Sequence, residues 1–455
     1  MTCISVINEC SLACVAALVI RLRPSDTYDE TAHLEPESTM TDEESASSSD
    51  TSWFSWTRYS FNMLRSIEKS ILSHLRRPYR GMFVDIGPCV GDQDKVWTIT
   101  MNNEESKRVP ILMLHGLGAG VALWVLNLDE LAQHRTVYAI DILGFGRSSR
   151  PSFSDDAMVA EKQLVKSIDE WRKEMGLKEM ILLGHSMGGF LAASYALSYP
   201  DRVKHLILAD PWGFPEKPKD VERPKKIPMW ARAIVTASKP LNPLWILRFF
   251  GPLGSWLVGK TRPDILRKFS GVVTNPDDIP NYIHQCNAQS PTGESAFHTM
   301  MQDFGWAKNP MINRVQDMKS TVPITFLYGA RSWVDNSPGE TIKQLRHQSF
   351  VKVHSIPGAG HHVYADDAAT FNRLINEACA TCDAENQANI FSRYQHATLV
   401  VSRGKGWLGQ QCCVEQQHGQ KAKAAETTRR SALQIPCAGH LRTAEGRNHC
   451  SYRKL

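Results

Sequence analysis

Apolar residues along this chain follow two rhythms. Short unbroken runs alternate with longer stretches in which apolar positions recur every third or fourth residue. Pro110–Leu114, Thr136–Ile140, Met180–Leu183, His205–Ala209 and Ile324–Leu327 are runs of the first kind, and Phe350–Ile356 reads as a last strand after them. Such runs mark strands buried on both faces of a parallel sheet. Lys95–Met101 alternates instead, as an antiparallel strand would. Helical spacing follows through Leu123, Leu126 and Leu131, over Met158–Gly176, in Gly189–Tyr199 and from about Ala369. Strands alternating with helices predict an α/β architecture, a mostly parallel sheet covered on both faces. The core is expected over 81–214 and 321–383.

Between Pro215 and Ser320 the alternation fails. This stretch is rich in Pro, Trp and helical apolar patterns, such as Pro243–Phe250 and Trp256–Val258. An insertion over 215–320, after the sixth strand, reads as a helical lid whose apolar surplus faces acyl chains; simple helical packing is the plainer alternative.

The ends have a different character. Ser25–Asp50 carries nine acidic residues, no Lys or Arg and many serines, so residues 1–52 are expected to be disordered. Met40 offers an alternative start, in which case the first 39 residues add nothing to function. In the segment 53–80, Trp53, Phe54 and Trp56 precede Tyr59, Phe61, Leu64, Ile67, Ile71 and Leu75, which share roughly one helical face among basic residues. That mixture suits a lipid surface. A helix packed on its own domain would carry the same stripe. Residues 384–455 show no periodicity and are expected to be a disordered tail.

Charge sharpens this division. The formal net charge is +5, but eleven Lys/Arg against four Asp/Glu fall after residue 383, which leaves about −2 for the body. A basic nucleic-acid binder is therefore excluded. Most of the eleven cysteines lie near the two ends, and the body keeps Cys89, Cys286, Cys379 and Cys382, as in a reducing compartment. Cys379 and Cys382 lack a second pair and read as ordinary thiols. Ser11–Ile20 is apolar, yet Glu9 precedes it and the positive charges follow it, the wrong order for a secretory signal. Ten residues are also too few to span a bilayer. The expected location is cytoplasmic.

One stretch carries chemistry. Gly184-His185-Ser186-Met187-Gly188 lies between an apolar strand and a small-residue helix, the G-x-S-x-G of a nucleophile elbow. A serine hydroxyl attacks only when an imidazole takes its proton and a carboxylate fixes that imidazole's tautomer. In this arrangement the acid and then the base follow the serine along the chain. Asp335 follows the Ile324–Leu327 strand and is taken as the acid, with Asp210 at the end of the sixth strand as its rival. His361 follows the last strand and is taken as the base, with His362 as its rival. The N–H groups of Leu117, in His115-Gly116-Leu117-Gly118, and of Met187 are the expected oxyanion donors. His115 reads as structural, and the ring of His185 is expected to point away from the hydroxyl. No metal-ligand spacing or dinucleotide fingerprint is present, so no metal or cofactor is expected.

Leu183–Pro215, Leu143–Arg150 and His361–Asp366 together resemble an α/β-hydrolase-domain subfamily with two animal branches. One branch is a lysophospholipase of N-acyl phosphatidylethanolamines. The other is the lipid-droplet coactivator of adipose triglyceride lipase, also credited with lysophosphatidic acid acyltransferase activity. The resemblance covers roughly Trp53 to Asp383. It implies a serine hydrolase of (lyso)phospholipids, held peripherally on lipid droplets or membranes, with mitochondrial association. Ser186 matches the hydrolase branch. Arg331 and Gly360 match the pair with which the coactivator branch activates its partner lipase, so a triglyceride lipase and a perilipin-type coat protein are implied partners. His361 and Asp366 match an H-x4-D motif shared with acyltransferases, which implies acyl transfer as the alternative reaction.

Overall fold

The computed structural model describes residues 56, 59–101, 106–218, 242, 244–302 and 305–384. Met40, the acidic stretch, Trp53, Phe54, residues 219–241 of the insertion and the chain beyond 384 lie outside the described residues.

Eight strands form one sheet: β1 (Arg80–Asp85), β2 (Lys95–Met101), β3 (Ile111–Leu114), β4 (Val137–Ile140), β5 (Met180–His185), β6 (Val203–Ala209), β7 (Ile324–Gly329) and β8 (Val351–Ile356). Their order is β1-β2-β4-β3-β5-β6-β7-β8. The pairs β1/β2 and β2/β4 are antiparallel, and the others are parallel. The described helices of main interest are α1 (Phe61–Leu72), α2 (Ala157–Glu174), α3 (Met187–Ser198), α4 (Trp245–Phe249), α5 (Gly254–Thr261), α6 (Pro263–Phe269), α7 (Asp278–Asn287), α8 (Thr292–Met300), α9 (Ser337–Leu345) and α10 (368–384).

The period of two along each strand divides the core into two halves. In β3, Ile111 and Met113 join the cluster that holds α1 and α7, whereas Leu112 and Leu114 join the one that holds α2 and α3. β5 divides in the same way, with Ile181 and Leu183 on one face and Met180 and Leu182 on the other. Parallel strands covered on both faces have no solvent side, which explains their uninterrupted apolar spelling.

Lys95–Met101 is an antiparallel strand, as expected, and it is buried from Val96 onward because β1 pairs beyond it. β1 itself escaped the sequence reading: it is a mostly exposed edge strand, marked only by the short apolar run Met82-Phe83-Val84. The stripe on α1 is not a free lipid-facing surface. Leu64, Ile67, Ile71 and Leu72 are buried in the core, Ser70 Oγ donates to Asp278 of α7 at 2.6 Å, and Glu68 pairs with Arg147 at 2.6 Å. The plainer reading, a helix packed on its own domain, holds for these residues.

The described part of the insertion, α4 to α8, sits between β6 and β7 in sequence. Arg150 fastens it to the core by donating to the carbonyls of Gly144 and Gly146 on one side and of Cys286 and Ser290 on the other. The buried pair Arg248–Glu294, at 2.7 Å, joins α4 to α8. Among the described residues, no helix is long and apolar enough to cross a membrane.

Candidate active site

β5 ends at His185 and α3 begins at Met187, so Ser186 alone turns the chain. Its φ is +53°, a conformation costly for a residue with a side chain and held here by its surroundings. Its N–H donates to Ala209 O at 3.0 Å, and its carbonyl accepts from Gly189, Phe190 and Trp212. The glycines beside it are steric necessities. A Cβ on Gly188 would lie 2.5 Å from the carbonyl oxygens of Leu114 and His115, and one on Gly184 would strike the Gly188 carbonyl. Both obstacles are main chain and cannot swing aside. Gly188→Ala is accordingly expected to lower stability by about 1–3 kcal/mol, read as a shift of the urea midpoint.

His361 meets the serine from the loop after β8. Its Nε2 lies 3.0 Å from Ser186 Oγ, and its Nδ1 lies 2.6 Å from Asp210 Oδ2. Asp210 follows β6 directly, adopts φ +46°, and is fully buried. The Gly329 N–H donates to its Oδ1 at 3.1 Å, and the Ser332 hydroxyl donates to its Oδ2. Burial pushes the carboxyl up, against the Ser332 and Gly329 donors that lower it. Burial likewise pushes the His361 imidazole down, to about 3, with the cations of Arg262 and Lys268 adding to the effect. A neutral ring that donates through Nδ1 leaves a lone pair on Nε2, aimed at the hydroxyl.

The carboxylate on this imidazole is therefore that of Asp210, and the expectation for Asp335 is corrected. Asp335 is exposed, and its two oxygens accept from the Ser337 N–H and hydroxyl at 2.9 and 2.7 Å. It forms the turn that starts α9. The loop expected to supply the acid instead supplies Gly329 and Ser332, which hold the acid in place. Sequence reasoning missed Ser332. His362, the rival base, lines both the apolar cavity and the polar cleft, while the serine hydroxyl meets His361.

Residues 109–368 match the alpha/beta hydrolase fold family model. The chain is 47% identical over 324 residues to (lyso)-N-acylphosphatidylethanolamine lipase of Mus musculus, covering 71% of this chain and 93% of the relative. The chain belongs to the alpha/beta hydrolase fold family. It is also 46% identical over 320 residues to 1-acylglycerol-3-phosphate O-acyltransferase ABHD5 of Homo sapiens, covering 69% of this chain and 91% of that relative. Among solved structures, carboxylesterase CesB from Bacillus subtilis matches with a TM-score of 0.48 at 14% identity, over 69% of this chain and 95% of that chain.

Around the serine of this alpha/beta hydrolase, backbone donors are close at hand. Met187 is the first residue of α3, where N–H groups have no intrahelical acceptor. Leu117 lies in the loop after β3, whose Gly116 approaches so closely that a Cβ there would sit 3.1 Å from Ser186 Cβ. His115 braces this loop: its Nε2 accepts from the Ile142 N–H at 3.1 Å and its Nδ1 lies 2.8 Å from Gly116 O. The His185 Nε2 lies 2.9 Å from the His361 carbonyl oxygen, and the two ring centroids are 4.9 Å apart.

The remaining motif residues lie on the His361 loop. Asp366 does not touch the His361 ring; its Oδ2 accepts from the Gly360 N–H at 2.9 Å and its Oδ1 pairs with Lys268 of α6 at 3.1 Å. Arg331 is exposed, and its guanidinium donates to Gly358 O, with Nε at 2.9 Å. Its N–H donates to Ala359 O at 2.8 Å, which sets it beside Gly360. Among the described residues, no cluster of His, Cys, Asp or Glu suits a metal ion.

Two cavities flank the site. An apolar one of about 130 Å³ is lined by Leu117, Leu244, Leu257, Val258, Ile265 and Ile283, among others. An open, polar cleft of about 680 Å³ runs past Gly360, His361 and His362. Thr261, Arg262 and His362 line both.

Proposed function

We propose that this protein is a serine hydrolase of (lyso)phospholipids, N-acyl phosphatidylethanolamine types included. One observation carries the reading: a continuous relay of hydrogen bonds from Ser186 Oγ through His361 to the buried Asp210 carboxylate. The activity for which the murine relative is named supports the lipid class. Ser186 Oγ attacks the acyl carbonyl while His361 Nε2 takes its proton. The Leu117 and Met187 N–H groups hold the oxyanion that forms. Collapse of that intermediate releases the lysolipid or glycerophospho alcohol, which takes the proton back from His361. Water, deprotonated by the same imidazole, then frees the fatty acid and restores the serine. Asp210 keeps the imidazole in the Nδ1–H tautomer throughout.

The apolar cavity receives the acyl chain, and α4 to α7 over it act as the lid. Phe249, Leu253 and Trp256 are 62%, 56% and 47% exposed on or between the helices that line this cavity. Trp56 joins them, donating from Nε1 to Phe249 O at 3.2 Å. Aromatic side chains standing in water beside an acyl pocket suit peripheral contact with a lipid droplet or membrane.

A fluorophosphonate probe tests the mechanism. The expected result is one covalent adduct, mapped by mass spectrometry to Ser186, together with release of free fatty acid from a lyso-N-acyl phosphatidylethanolamine. An unlabelled Ser186 and no fatty acid would overturn it.

A second reading rests on Arg331. Its guanidinium, fixed to Gly358 O on an exposed surface next to Gly360, suits regulation of a partner triglyceride lipase, with a perilipin-type coat protein as a further partner. The printed name of the human relative adds acyl transfer, in which a lysolipid hydroxyl replaces water as acceptor. Acyl-CoA-dependent phosphatidate formation by the pure protein distinguishes that reaction from hydrolysis.

A further inference from the structure

The polar cleft beside His361 has a marked charge balance. Arg262, Arg267, Lys268 and Arg331 face it, against Asp264 and Asp366. Arg262 and Asp264 form a two-point pair, with both nitrogen–oxygen distances 3.0 Å. Lys268 bridges Asp366 at 3.1 Å and Asp264 at 3.7 Å. Two carboxylates thus fix Arg262 and Lys268, and the Gly358 carbonyl holds Arg331, which leaves an excess of positive charge in an open volume of about 680 Å³. An anion with several acceptor oxygens fits this excess, since guanidinium groups bind phosphate through paired N–H donors.

The neighbouring apolar cavity decides what else the anion carries. Arg262 and Thr261 belong to the walls of both spaces, and His361 lines the cleft side. A molecule with a tail among Leu244, Leu257 and Ile265 would therefore carry its polar end past Arg262 into the cleft, with the linking ester beside the Ser186–His361 pair. The positive field reaches that far, because Arg262 and Lys268 are the charges that most strongly disfavour a cationic His361.

We infer that Arg262 and Arg267, with Lys268 and Arg331 around them, form a subsite for the phosphate of a lipid head group, separate from the acyl pocket and joined to it at Thr261 and Arg262. This deepens the hydrolase reading and rests on it for the position of the ester. The subsite selects esters that bear a phosphate over neutral esters of the same chain.

Binding rather than turnover tests it. Calorimetry on the full-length Ser186→Ala protein would compare a short-chain 1-acylglycerol phosphate, the 1-monoacylglycerol of equal chain length and glycerol 3-phosphate. The phosphate lipid is expected to bind about 10-fold more tightly than the monoacylglycerol. Adding Arg262→Gln and Arg267→Gln should bring that preference below about three-fold. Should loss of the Arg262–Asp264 pair unfold the chain, Arg267→Gln alone, on an exposed residue, should still reduce the preference. Equal binding of the two lipids, or a preference that survives in the folded double variant, would overturn the subsite. So would glycerol 3-phosphate binding as tightly as the lipid, since the cleft would then serve a free phosphate ester. A wild-type protein that hydrolyses nothing yet keeps the preference supports the subsite and sinks only the hydrolase reading.

Discussion

Asp210→Asn is expected to lower kcat for ester hydrolysis by about 10⁴-fold, whereas Asp335→Asn stays within about two-fold of wild type. The amide is nearly isosteric with the carboxylate, and its oxygen in the Oδ1 position still accepts from the Gly329 N–H, so the fold is retained; the Ser332 hydroxyl, which donates to Oδ2, turns to accept from the new NH2 group. That NH2 group, however, would face His361 Nδ1, which lies 2.6 Å from the carboxylate in the native protein. The ring would then present a lone pair at Nδ1 and carry its proton on Nε2, where it cannot accept from Ser186. Asp335 has no such leverage, because it is exposed and bonded to Ser337. Steady-state kinetics on a soluble ester, with circular dichroism to confirm folding, read both variants. A collapse of activity in Asp335→Asn with Asp210→Asn near normal would reverse the assignment.

Ser186→Ala is the second large effect. Without the nucleophile, hydrolysis is expected to fall by about 10⁶-fold, to whatever the oxyanion donors and binding alone supply. Fatty-acid release from a radiolabelled lysolipid measures this. The same variant separates the two readings of function, because stimulation of a partner triglyceride lipase needs no acyl-enzyme. Under the regulatory reading, Ser186→Ala keeps that stimulation and Arg331→Asn abolishes it. Full esterase activity in Ser186→Ala would remove the enzyme mechanism altogether.

Much of this architecture is legible in the sequence because parallel strands buried on both faces must be apolar throughout, as Ile111–Leu114 and Met180–Leu183 are. The elbow is legible for a related reason: a strained serine between close-packed backbones tolerates only glycine at its flanks. β1 was not legible, since an exposed edge strand needs little apolar content. The acid was misread because spacing along the chain identifies which strand ends carry carboxylates but not which of them reaches the imidazole. A usable signal was present. Asp335-Asn336-Ser337-Pro338 spells a turn into a helix start, in which the aspartate oxygens have local donors to satisfy. Asp210, placed directly at a strand end, has no such local use. The basic cleft was illegible for a plainer reason: its walls come from α6, the loop after β7 and the loop after β8, which only the fold brings together.

Asp366 grips the backbone just before the proton-accepting imidazole with one oxygen, and a lysine of the covering helices with the other. Cover and imidazole are thereby tethered through a single carboxyl group. If α6 lifts to admit a large lipid, as the hydrolase reading proposes, that tether would be strained or released and His361 loosened with it. On the hydrolase reading, substrate entry and readiness for reaction would in this way be mechanically linked.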